Sequence, residues 1–104
     1  MRKANTNAEG NAWTREQIEA VWRKASEVPG FDPDEFRQDC CDTWIRYDDY
    51  GETVENGNGW EIDHIKPVSQ NGTDDLSNLQ PLQWENNRLK ADNWPTWKCA
   101  KIGR

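Results

Sequence analysis

Asp63 and His64 are adjacent, His64 is the only histidine in the chain, and two amides, Asn78 and Asn87, follow within residues 60–93. A carboxylate and an amide carbonyl are hard oxygen donors. Two of them on one Mg²⁺ or Mn²⁺ leave most of its octahedral positions open for water and a substrate phosphate. Histidine is the one side-chain type whose unperturbed pKa lies near neutrality, which suits a general base. In-line hydrolysis of a phosphodiester needs the base beside the attacking water and the metal beside the leaving oxygen, on the far side of phosphorus. Neighbours on a strand point to opposite faces, so an Asp-His dipeptide at a strand end is able to serve both sides.

The elements that would position these groups follow from the pattern. Trp60, Ile62 and His64 alternate with Glu61 and Asp63, which predicts a strand. Pro67 stops it, and residues 69–73 (Ser-Gln-Asn-Gly-Thr) read as a polar turn. Residues 79–82 (Leu-Gln-Pro-Leu) predict a second extended run, its proline suited to an edge or bulge. A helix is expected over residues 84–92, with Trp84, Arg88 and Ala91 on one face and Asn87 bordering it. Asn86 reads as helix surface. Upstream, Thr14 and Gln17 form a capping-box pattern, and Trp13, Ile18, Val21, Trp22 and Ala25 recur at helical spacing until Pro29-Gly30. Asp32-Pro33 reads as a cap opening a short helical piece through Phe36 and Arg37. Residues 44–47 predict a short extended segment, and Asp39, Asp42, Asp48 and Asp49 a solvated acidic surface, since they lack the glycine and glutamate of a calcium loop.

A chain of 104 residues with 34% hydrophobic and 31% charged content makes one small domain with few aliphatic residues to bury. Its seven tryptophans offset that scarcity, because each aromatic buries on the order of 150–250 Å². No apolar run approaches the ~20 residues that span a bilayer. The opening MRKANTNAEGNAW lacks a signal peptide's apolar middle, so a cytoplasmic location is expected. Cys40, Cys41 and Cys99 read as small buried apolar residues, the alternative being a bridge from Cys99 to Cys40 or Cys41. The net charge of −6 opposes a nucleic-acid partner. Its distribution is more permissive, because Arg88, Lys90, Lys98, Lys101 and Arg104 follow the Asp-His stretch in sequence.

Taken together, Asp63-His64-Ile65-x-Pro67, Gly72-Thr73-Asp74-Asp75-Leu76-x-Asn78-Leu79-Gln80-Pro81-Leu82 and Asn87-x-x-Lys90 resemble the HNH nuclease family. These are the ββα-metal endonucleases, in which a hairpin and a helix grip one metal ion. The resemblance covers about residues 59–93. Residues 13–58 are similar to the front half of small bacterial HNH proteins, above all at Trp44-Ile45 and Tyr50-Gly51. The resemblance implies His64 as the base that deprotonates water, Asp63 and Asn87 as metal ligands, and Asn78 as the residue that holds the loop and so orients the base. It makes the chain an HNN variant, similar in that respect to the HNH domain of RNA-guided CRISPR nucleases. Lys90 matches a basic position expected to contact phosphate, as are Arg88 and Lys66.

The chain departs from many family members in having Gln83-Trp84-Glu85-Asn86 where a zinc-binding cysteine pair would stand. No structural zinc is therefore expected, and tryptophans, Trp60 and Trp84 among them, are expected to brace the core. The fold expected is α+β: one domain over residues 13–104, its ββα-metal core at about 59–93, preceded by a helical part and a flexible segment 1–12. The activity implied is hydrolysis of double-stranded DNA with one Mg²⁺ or Mn²⁺. The acidic balance predicts weak, salt-sensitive binding unless a protein partner delivers the substrate. The alternative is a non-catalytic nucleic-acid- or protein-binding module that keeps the fold.

Overall fold

Thr14 starts the first helix as its sequence predicts. In the computed structural model, which describes residues 2–104, its hydroxyl accepts from Gln17 N at 3.1 Å, and the Gln17 side chain accepts from Thr14 N at 3.0 Å. Helix α1 runs Arg15–Trp22. It ends well before Pro29, because Lys24 N and Ala25 N turn back onto the carbonyls of Val21 and Trp22 and the chain then enters strand β1 (Ser26–Glu27).

The helical piece expected through Phe36 and Arg37 is instead a turn leading into a strand. The Asp32 side chain accepts from Asp34 N, and the Asp32 carbonyl accepts from Glu35 N and Phe36 N. That single turn reverses the chain into β2 (Phe36–Gln38), which pairs antiparallel with β1 and with β3 (Trp44–Arg46). Phe31 packs edge-to-face on Phe36 and Trp44 of this sheet, with the Arg104 guanidinium 4.4 Å from the Trp44 ring centroid. Lys101 Nζ donates to the carbonyls of Asn56 and Gly57. The basic C-terminal end thus folds onto the β3 side of the molecule instead of flanking the Asp-His stretch.

The second sheet is an antiparallel hairpin of β4 (Trp60–His64) and β5 (Leu79–Gln83), and helix α2 (Trp84–Lys90) follows β5 directly. Pro81 lies opposite Ile62. Ile62 N points away from β5 and donates to Asn5 Oδ1 at 2.8 Å, so the pair needs no ladder bond and the missing proline N–H costs nothing there. The Gln83 side chain caps α2 by accepting from Glu85 N and Asn86 N.

The hairpin lies between the two helices. Trp60 and Ile62 face α1, in a core with Trp13, Val21, Trp22, Ala25, Ile45 and Leu79. Trp60 is fully buried, 5.2 Å from the Trp22 ring and 4.9 Å from that of Tyr50. Trp84 is only half-buried, its indole N–H on the Val54 carbonyl and its ring under Arg88, so the bracing aromatics are Trp60 and Trp22 and not Trp84.

Two further braces occupy the region next to α2. Asp39, expected on an acidic surface, is buried; Oδ1 accepts from Cys41 N and Thr43 N, and Oδ2 from Gln83 N and Asn86 Nδ2. Asn86, expected on the helix surface, is fully buried. Its amide also donates to Thr43 Oγ1 and accepts from the N–H groups of Ala100 and Lys101. Beside this network Cys41 and Cys99 form a disulfide, while Cys40 is a free, exposed residue. Cys41 and Cys99 therefore act as a covalent staple, the alternative that the sequence left open beside small apolar fillers.

Candidate functional site at the end of the hairpin

Strand alternation separates the two members of the Asp-His dipeptide. His64 takes the α1 face, 5.5 Å from the Trp13 ring centroid, and Glu61 and Asp63 take the α2 face. Both His64 and Asp63 are only 7% exposed. They line one cavity of about 310 Å³ together with Asn87 and Arg88 of α2 and Arg2, Lys3 and Asn5 of the N-terminal segment.

His64 Nε2 lies 2.7 Å from Asp74 Oδ1. A carboxylate accepts, so Nε2 carries the hydrogen and Nδ1 is left as the basic nitrogen. Asp74 stood in the sequence pattern without a role; its place four residues before Asn78, in the loop that returns to β5, was the available signal. The same carboxylate accepts from Ala8 N at 3.0 and 3.1 Å.

Asn78 closes the loop between the strands. Its Oδ1 accepts from Lys66 N at 2.9 Å, and its Nδ2 donates to the carbonyls of Lys66 and Thr73 at 3.1 and 2.9 Å. Its own carbonyl accepts from Ile65 N at 2.8 Å. The loop is drawn so tight that a Cβ on Gly72 would sit 1.6 Å from the Lys66 carbonyl oxygen, which leaves glycine as the residue that fits.

Asp63 accepts from Gln80 Nε2 at 2.9 Å and from Lys90 Nζ at 3.2 Å. Burial pushes the Asp63 carboxyl above the usual carboxylate range, against the opposing pull of Gln80 and Lys90. Gln80 was foreseeable in principle, since the hairpin register sets it directly across from Asp63. Lys90, expected at the phosphate surface, is fully buried, and its ammonium also donates to the His64 carbonyl at 3.0 Å. Its position on α2 brings it under β4, where Asp63 is the charge that lets an ammonium be buried.

Asn87 Nδ2 donates to Glu61 Oε1 at 2.9 Å, which turns the amide oxygen away from that carboxylate. Glu61, 3% exposed, also holds Arg88 through Nη2 at 2.8 Å. Lys66, the third basic position, has its ammonium 5.3 Å from the Trp94 ring centroid and does not line the cavity. Of the residues singled out in the sequence, His64, Asp63, Asn87 and Arg88 thus share one cavity. Asn78 supports it from the loop, and Lys90 lies beneath it.

Among the described residues, no three His, Cys, Asp or Glu side chains group as a metal site, and no helix is long and apolar enough to cross a membrane. No curated protein and no solved structure matches the chain. Residues 50–93, which contain β4, the Asn78 loop, β5 and α2, match the family model described as HNH endonuclease. Over that stretch the chain is similar to the HNH endonucleases.

Proposed function

We propose that the protein is a metal-dependent endonuclease that hydrolyses phosphodiesters of double-stranded DNA. The observation that carries this reading is the His64–Asp74 pair beside the cavity shared with Asp63 and Asn87. With Nε2–H held by Asp74, Nδ1 of His64 takes a proton from water as the water attacks phosphorus. Asp74 then stabilises the imidazolium, as a carboxylate behind a catalytic histidine does elsewhere. Asn78 keeps the loop that carries Asp74 closed.

Asp63 and the amide oxygen of Asn87 would hold the ion, and their hard oxygens fit Mg²⁺ or Mn²⁺. When bound, the ion supplies positive charge at the leaving oxygen. Lys90 shares the Asp63 carboxylate, so any cation there competes with an ammonium. The net charge of −6 supports weak intrinsic affinity for DNA, and a protein partner that delivers the substrate fits that balance.

Plasmid nicking by wild type and His64→Ala, with Mg²⁺ and with Mn²⁺, tests the assignment. Removing a general base costs about 10²–10⁴-fold; equal nicking by the two proteins would sink it.

A second reading, a non-catalytic module with this fold, draws on one observation. Lys90 neutralises Asp63 and Arg88 neutralises Glu61 within the protein itself. In that case neither ion perturbs the surroundings of Asp63, and no nicking above that of His64→Ala is seen.

A further inference from the structure

We infer that the N-terminal segment, residues 2–8, is a working wall of this site and that Arg2 and Lys3 bind the phosphate backbone of the DNA. The identity of the ligand rests on the nuclease reading above; the placement of the segment does not.

The segment is fastened where the chemistry is. Asn5 Oδ1 accepts from Ile62 N at 2.8 Å and from the Tyr50 hydroxyl at 3.0 Å, so it covers the free edge of β4 two residues before His64. Ala8 N donates to Asp74, the carboxylate that also holds His64 Nε2. Between these two anchors the Arg2 guanidinium donates to the carbonyls of Thr6, Asn7 and Ala8, which curls the segment and fixes the position of its own charge.

The charges around the cavity then sort themselves. Lys90 is spent on Asp63 and Arg88 on Glu61. The C-terminal cations Lys101 and Arg104 lie against β3 and the turn at Asn56. Arg2 and Lys3 line the cavity beside His64 and Asp63, and among the described residues neither is within salt-bridge distance of a carboxylate. Of the cations that line the cavity, they are the ones left to neutralise an incoming phosphate in a chain whose overall charge repels it. The Arg2 guanidinium, its Nη2 held by the segment's own carbonyls, presents a fixed positive charge, and Lys3 a mobile one; both attract phosphate oxygens.

The test is binding of a short DNA duplex, followed by fluorescence anisotropy in chelator, so that no cleavage is needed. Each phosphate contact contributes about −0.9 to the slope of log K against log salt. The double variant Arg2→Gln/Lys3→Gln should therefore shallow that slope by about 1.8, and between 50 and 200 mM salt it should lose roughly tenfold less affinity than wild type. Asn5→Ala, which frees the segment from β4 but keeps both charges, should weaken binding at low salt in the same direction. A wild-type slope in the double variant overturns the inference. So does a wild type that binds no duplex, or a double variant that nicks plasmid faster than wild type, as an inhibitory strap would predict. The outcomes separate from those of the nuclease reading: wild type that nicks no better than His64→Ala, yet binds DNA through Arg2 and Lys3, loses the activity and keeps the binding wall.

Discussion

His64 Nε2 and Asp74 Oδ1 are 2.7 Å apart, and Asp74 reaches that position from a loop whose closure depends on Asn78. The proposed base and the carboxylate that holds its Nε2 therefore belong to different elements, joined through one amide side chain. Asp74→Asn keeps the shape but offers either an N–H or a carbonyl to Nε2, so the tautomer is no longer fixed. The expected loss in cleavage rate is up to about 10⁴-fold, the cost of the same change behind a catalytic histidine, with little change in KM. Asp74→Glu should recover part of it. Nitrogen chemical shifts of the His64 ring give a readout independent of activity: wild type should show hydrogen on Nε2, and Asp74→Asn a mixture. If wild type carries the hydrogen on Nδ1, the assignment of the basic nitrogen is wrong.

Lys90 and Asp63 form a buried ion pair at 3.2 Å, with Lys90 fully buried and Asp63 7% exposed. Removing one member of such a pair strands the other charge and typically costs about 3–5 kcal/mol. Lys90→Met should fall in that range by urea unfolding, and Lys90→Met/Asp63→Leu should recover much of the loss. The pair also offers a test of the metal ligand that needs no substrate. If Asp63 binds the divalent ion, Mn²⁺ replaces the missing ammonium and stabilises Lys90→Met more than wild type. Ligand at 100 times its Kd contributes about 2.7 kcal/mol. An equal shift of both proteins by Mn²⁺ would remove Asp63 from the ligand set.

The groups at the end of the hairpin were legible because they share a short stretch with strong local rules. Alternation placed His64 and Asp63 on opposite faces of β4, and the capping box placed the start of α1. What escaped were contacts made by residues distant in sequence. Asn5 meets Ile62 across 57 residues and Ala8 meets Asp74 across 66, and nothing in a polar opening segment signals that its amide covers a strand edge. The burial of Asn86 and Asp39 escapes the local pattern for a related reason. Polar residues default to the surface, and a buried polar network is stable only when every partner is present, which a local pattern does not show. The pattern fixes the position of Lys90 on α2 and not the carboxylate beneath it, which is why a phosphate-facing side chain is expected and a buried one is found.

The Cys41–Cys99 disulfide closes the chain across 58 residues and pins the C-terminal segment beside the Asn86 network. In the chain-entropy description a loop of that length is worth about 4 kcal/mol, with 2–5 kcal/mol the usual cost of losing a native bridge. Cys40 is next in sequence to Cys41 and would be the natural competitor for it. Although the residue as a whole is exposed, its thiol is partly buried and is pushed up to about 11, chiefly by that burial and then by the negative charges of Asp39 and Asp63. Thiolate is the species that attacks a disulfide, so at neutral pH Cys40 is a poor nucleophile, and its reactivity should rise only as the pH approaches that value. Peptide mapping after incubation at pH 7 should therefore find Cys41 joined to Cys99 and Cys40 free, with exchanged pairings emerging in alkali. Thermal unfolding with and without reductant measures the staple itself. Reduction should lower stability by about 2–5 kcal/mol in wild type and leave Cys41→Ser/Cys99→Ser unchanged. Disulfides persist in oxidising surroundings, so the bridged fraction in freshly extracted protein also reports the compartment it came from. If wild type and the double serine variant unfold at the same temperature under oxidising conditions, the Asn86 network alone holds the C-terminal segment in place.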